Sequence, residues 1–126
     1  MKHQQPPSGI VVTWGKDLIR EKGGLLAFIR FFERAMANEE DIWLWKCKNR
    51  PTREIDHVYF VVCNQVRYKL YYGGYEAGGS CDCYDGLHHE IITWPRLILA
   101  GPFVKAPRKI YMRGFQGFRY VYEPLF

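Results

Sequence analysis

The sequence predicts an α+β fold: a small, mixed, barrel-like β-sheet with one or two helices near its start. Three observations point there. From Leu25 to Asn38 the apolar residues fall at positions 25, 26, 28, 29, 32 and 36, a helical period, with Arg30, Glu33 and Arg34 on the other side. Short runs rich in β-branched and aromatic residues follow, punctuated by Gly and Pro. The 126 residues are 48% hydrophobic, enough for a single domain with a real core and no staples. So few helices cannot support a doubly wound sheet, but they can pack on one side or end of a small one. Closing that sheet would also hide its strand edges.

The elements run in this order. Residues 1–9 read as a flexible tail broken by Pro6, Pro7, Ser8 and Gly9, and one domain spans 10–126. Ile10–Trp14 is a short β-type run. Lys16–Lys22 suits two turns of helix, stopped by Gly23-Gly24. The helix over 25–38 ends at Asn38. Asp41–Lys48 then alternates, with Ile42, Leu44, Lys46 and Lys48 on one face and Trp43, Trp45 and Cys47 on the other. His57–Cys63 and Gln65–Tyr72 form a hairpin around Asn64-Gln65, with Val66, Tyr68, Leu70 and Tyr72 on one side. Gly73-Gly74 and Gly78-Gly79 bracket a long turn. Glu90–Trp94 is a strand or helix edge. Leu97–Ala100, Lys109–Met112 and Phe118–Tyr122 are further extended pieces.

No apolar run approaches the roughly 18–20 residues of a membrane helix. The start has no apolar stretch behind its charge, so no secretory signal is read and a cytoplasmic address is expected. The net charge is +5, and its distribution says more than its total. Between Ile91 and Tyr122 lie Arg96, Lys105, Arg108, Lys109, Arg113 and Arg119, with no acid. A one-sign patch concentrates polyanions, of which nucleic acid is the commonest. A solvated basic surface without a partner is the plainer alternative.

Without an export signal, the four cysteines do not suggest a disulfide framework. Cys47 and Cys63 sit in strand-like runs and read as small core hydrophobes. Cys81, Cys83, His88 and His89 could supply four zinc ligands, but one residue between cysteines and two adjacent histidines fit known zinc modules poorly. The expectation is a polar exposed loop, no metal and no cofactor.

Two stretches carry a resemblance. The first is Trp43-Leu44-Trp45-Lys46-Cys47-Lys48-Asn49-Arg50-Pro51, then Ile55–Val62 and the hairpin to Tyr68; the second runs from Pro102-Phe103-Val104 to Arg113-Gly114-Phe115-Gln116-Gly117-Phe118-Arg119-Tyr120. Together they resemble PUA-like domains, especially the ASCH and EVE branches, over roughly residues 40–122. The step into the apolar strand reads Ile55-Asp56 here, where that pattern has Gly-Asp. The resemblance implies a PUA-like pseudo-barrel that holds RNA or a flipped modified base in a basic, aromatic-lined cleft.

Reading a base needs a planar stack, groups for its edge and cations for flanking phosphates. Trp45 and Trp94 are the expected stacking residues, and Lys48, Arg50, Arg96, Arg113 and Arg119 the expected phosphate contacts. Gly114 and Gly117 could bring backbone N–H groups close to a phosphate. The partner expected is RNA, single-stranded DNA or a modified base, and no membrane. Two alternatives stand beside it. An ASCH-like amidohydrolase acting on a modified nucleoside would use Lys46 or Lys48 with Thr52 and Glu54, and a Cys–His pair would draw on Cys81 or Cys83 with His57 or His88. A protein-interaction module would use exposed Tyr and Trp and the tail Phe118–Phe126. No Gly-rich phosphate loop, nucleophile elbow or metalloprotease helix is present, which favours a binding module over an enzyme.

Overall fold

The computed structural model describes residues 6–79, 81–85 and 88–126, with side chains outside 80–90. Among the described residues two helices and eight strands follow in the order β1 (Gly9–Thr13), α1 (Lys16–Glu21), α2 (Leu25–Ala35), β2 (Ile42–Lys46), β3 (His57–Val62), β4 (Gln65–Glu76), β5 (Cys81–Asp85), β6 (His88–Ile92), β7 (Arg96–Lys105) and β8 (Arg119–Val121). Six strands form one mixed sheet in the order β2-β7-β4-β3-β1-β8, and β5 and β6 form a separate hairpin. Among the described residues only β1 and β3 run parallel. No helix among the described residues is long and apolar enough to cross a membrane.

The expected barrel does not close. β2 and β8 are opposite edges of the sheet, and neither pairs with the other. The sheet nevertheless curls. β2 and β3 are three strand spacings apart, about 14 Å in a flat sheet. Yet the rings of Trp45 on β2 and Phe60 on β3 meet at 5.7 Å between centroids, and Trp43 lies 6.1 Å from Trp14, just past β1. The bend has local causes. Against β3, Phe60 pairs with Tyr68 and Val61 with Val66, leaving Arg67 as an extra residue. Against β7, Tyr72 pairs with Leu99 and Gly74 with Ile98, leaving Gly73 extra. Such bulges bend a strand and raise its twist.

Several boundaries shift for the same tertiary reason. β4 continues through Gly73-Gly74, expected as a turn, because β7 runs alongside it. β7 likewise continues beyond Ala100 to Lys105. The hairpin turn is Cys63-Asn64, both at positive φ (51° and 62°), which leaves Cys63 exposed rather than packed. The bulge at Arg67 puts Val66 on the face opposite Tyr68 and Leu70. α2 stops at Ala35. Lys109–Met112 is no strand; only Tyr111 bridges to Gln65. Pro7 is buried, and the Ser8 N–H donates to the Val121 carbonyl at 2.8 Å, tying the chain before β1 to β8; residues 1–5 lie outside the described residues.

The inner face holds the larger core. Phe28 and Phe32 of α2 pack on Trp14, Phe60, Tyr68, Leu70, Leu97 and Leu99. Trp14 stands at its centre, 4.4 Å from Phe28 and 4.7 Å from both Phe32 and Phe60. Glu33, expected on the solvent side of the helix, instead accepts a hydrogen bond from the Tyr68 hydroxyl. Burial, and then that bond, hold the Tyr68 phenol far above its ordinary pKa. The outer face is a smaller cluster of Val11, Tyr59, Val61 and Val66, covered by Ile110, Met112, Phe115, Leu125 and Phe126. β1 and β3, lying between both cores, are apolar on both sides and read as unbroken apolar runs.

Candidate functional site

Because the sheet curls without closing, a cleft of about 680 Å³ lies between its two edges. One wall is the end of β2 and its continuation, Trp45 to Asn49. The other is Thr13 and Gly15 after β1, with the turn 115–118 that leads into β8. Segments far apart in sequence thus meet here, including the two that carried the resemblance.

Each wall is fixed by identifiable contacts. On the β2 side the Cys47 N–H donates to the Pro95 carbonyl at 3.0 Å, and the Tyr75 hydroxyl donates to the Lys48 carbonyl at 2.9 Å. The Cys47 S–H donates to the Asn49 carbonyl at 3.2 Å. Burial pushes the Cys47 thiol up, the wrong direction for a nucleophile. On the opposite wall the Phe115 N–H donates to Thr13 Oγ1 at 3.1 Å, and the Gly114 N–H to Asn64 Oδ1 at 3.3 Å. Gly114 lies so close to Thr13 that an added Cβ would stand 2.9 Å from its methyl group. Gly117 has φ +76°, which lets the turn reverse. The turn passes from one face of the sheet to the other: Phe115 packs with the outer cluster and Phe118 with the inner one.

The expected residues divide. Trp45 and Lys48 line the cleft, Trp45 half-buried and edge-on to Phe60. Arg119 is beside it, its guanidinium carbon 4.2 Å from the centre of the Phe115 ring. Arg50 and Arg113 are exposed and flank the two walls in sequence, but neither lines the cleft. Trp94 is half-buried and also outside it.

Arg96 is corrected outright. Its side chain is fully buried, with Nη2 at 2.6 Å from Glu76 Oε2 and Nη1 donating to the carbonyls of Trp94 (3.1 Å), Gly79 (3.3 Å) and Ile92 (3.4 Å). A guanidinium so enclosed holds the end of β4 to the segment entering β7 and leaves the phosphate-contacting set.

The catalytic alternatives gain no assembled site. Thr52 and Glu54 are exposed and do not line the cleft that Lys46 and Lys48 line. The Thr52 N–H donates to the Tyr120 hydroxyl at 2.8 Å, and the Arg53 N–H to the same oxygen at 3.2 Å. Burial alone would raise the Tyr120 phenol; its bonds to Thr52 and Arg53, with the Arg53 charge, pull it below its ordinary value. His57 packs at 5.1 Å from the Tyr71 ring, on the Tyr59 side of β3. The side chains of Cys81, Cys83, His88 and His89 lie outside the described residues; their backbone is the β5–β6 hairpin rather than a loop. Among the described residues no group of three His, Cys, Asp or Glu could hold a metal ion.

Sequence reasoning missed Thr13 and Asn64 as supports of the 114–116 turn, and Tyr120 as the clamp on residues 52–53. A short polar side chain at a strand end or hairpin turn was the available signal. No protein-family model matches the chain, and no curated protein and no solved structure matches it either.

Proposed function

We propose that the cleft binds a base of RNA or single-stranded DNA, or a modified nucleobase, with the adjoining phosphate held by lysine. The observation that carries this reading is the lining itself. Trp45, Phe115 and Phe118 offer aromatic surface, Lys46 and Lys48 offer charge, and among the described residues no acid lines the space. Its volume falls in the range of small-ligand sites. Aromatic stacking with neighbouring cations is the combination that single-stranded nucleic acids require. Asn49 and Gln116, both lining the cleft, carry amides that can donate to and accept from a base edge. The resemblance to PUA-like domains points to the same ligand class. Among the described residues the cleft lining brings together no carboxylate or imidazole.

Tryptophan fluorescence titrations with short RNA and DNA strands at two salt concentrations test the proposal. Quenching that weakens steeply with salt is expected, with a log–log salt slope that flattens by about two in Lys46→Gln/Lys48→Gln. Trp45→Ala should weaken binding by about 1–3 kcal/mol, and Trp45→Phe by less. Absence of binding at low salt, or affinity unchanged in a folded Trp45→Ala protein, would overturn it.

A further inference from the structure

A second concavity lies away from the cleft, where the start of β4 meets the end of β7 and the loop after it. It measures about 370 Å³ and is lined by Arg67, Lys105, Arg108 and Lys109, with no acid among the described residues. We propose that this groove is a separate phosphate-binding site, taking the oxyanions of a polynucleotide backbone or of a free polyphosphate.

Three observations carry the assignment, and none depends on the reading of the cleft. First, the bulge places Arg67: it is the one residue between Val66 and Tyr68 without a partner on β3. Bulges re-aim side chains in this way, often beside functional sites. Second, Arg67 Nε is buried and has no hydrogen-bond acceptor among the described residues. An enclosed N–H without an acceptor is costly, and a guanidinium turned toward an oxyanion in the groove would gain the acceptor it lacks. Third, the groove is built in advance. The Ala106 N–H donates to the Arg67 carbonyl at 2.8 Å, and the Val66 N–H donates to the Ile110 carbonyl at 2.8 Å. The loop 106–110 is therefore stitched to β4 on both sides of the bulge. Arg108 is held as well, with Nη2 donating to the Leu125 carbonyl at 3.2 Å.

The charges explain the choice of ligand. Four cations in one concavity raise each other's energy and focus a positive potential outward. Arginine forks match phosphate oxygens in geometry, and lysines add point charge. Among the described residues no aromatic side chain lines the groove, so it supplies charge without base stacking. Tyr111, 72% exposed, is bridged to Gln65 at the groove's end and would meet a base only if the phosphates belong to a polymer.

The test uses the full chain and two probes, a fluorescein-labelled oligothymidylate and inorganic tripolyphosphate as its competitor. Measurements are repeated in Lys46→Gln/Lys48→Gln, which weakens the cleft alone. In that background both Lys105→Gln/Lys109→Gln and Arg67→Gln are expected to lower affinity, the double variant about tenfold or more, with a salt slope flatter by about two. Competition by tripolyphosphate would identify phosphate chemistry alone as sufficient. Binding of the oligonucleotide without such competition, weakened further by Tyr111→Ala, would identify a polymer backbone. Failure of both probes to bind overturns the proposal. So does unchanged affinity in both groove variants with an unchanged circular dichroism spectrum. If the groove variants lose binding while the cleft variants change nothing, the cleft reading falls and the groove stands.

Discussion

The inner face of the sheet is covered by a regular helix that places Phe28 and Phe32 on Trp14 and Phe60. The outer face is covered by chain with almost no regular structure, residues 110–126, which contributes Ile110, Met112, Phe115, Leu125 and Phe126. The inner cover is positioned by ring packing. The outer one is positioned by stitches: Met112 N–H to the Asn64 carbonyl at 3.1 Å, Leu125 N–H to the Tyr59 hydroxyl at 3.3 Å, and Lys69 Nζ to the main-chain oxygen of Phe126 at 2.7 Å. A strongly apolar surface can therefore be buried without any periodic signal in the segment that buries it. The outer cover and the loop that leads into it also build concavities. The turn 115–118 forms one wall of the cleft, and the loop 106–110 forms one side of the basic groove.

Core truncation separates the faces most sharply. Phe32→Ala, fully buried at the inner face, should cost about 3–5 kcal/mol. Thermal denaturation should register this as a fall in Tm of about 10 °C or more. Phe126→Ala removes a half-buried ring that meets Tyr59 at 5.4 Å between centroids, and should cost about 1 kcal/mol. Equal losses at the two sites, measured by urea unfolding, would show that the outer cover is as integral as the helix.

A smaller effect distinguishes the faces by pH. Tyr68, between the sheet and α2, has a raised pKa, chiefly from burial and then from its bond to Glu33. Above the ordinary tyrosine value near 10 the unfolded chain releases this proton while the folded one retains it. Stability should therefore fall as pH rises beyond about 10, and fall less steeply in Tyr68→Phe. His57, on the outer side, has a lowered pKa, from burial and then from the Lys69 charge, with Asp56 opposing. Below about pH 6.5 the unfolded chain binds a proton that the folded one resists. Stability should decline on acidification through that point, and His57→Gln should flatten the decline. Unfolding free energies measured across pH check both limbs; a Tyr68→Phe protein with an unaltered alkaline limb would remove Tyr68 as its source.

The sequence by itself determined the local elements. The helical period at 25–36 specified α2 and its buried stripe, because Phe28 and Phe32 recur on one side. Alternation specified that Trp43 and Trp45 turn to the core while Lys46 stays exposed. The apolar run at 57–62 and its alternating partner specified the β3–β4 hairpin. Tertiary structure decided everything that depends on a distant partner. Gly73-Gly74 reads as a turn until β7 lies beside it. Arg96 reads as a surface cation until Glu76 and three carbonyls enclose it. Val66 reads as a neighbour of Tyr68 until a bulge separates them. The cleft followed the same rule: Trp45 and Lys48 could be named from their local pattern, but their meeting with Thr13 and Phe115 depended on the curl of the sheet. Periodicity records which way a side chain points along its own element. Pairing, bulges and curl are set by contacts between residues far apart in the chain, and no local pattern carries them.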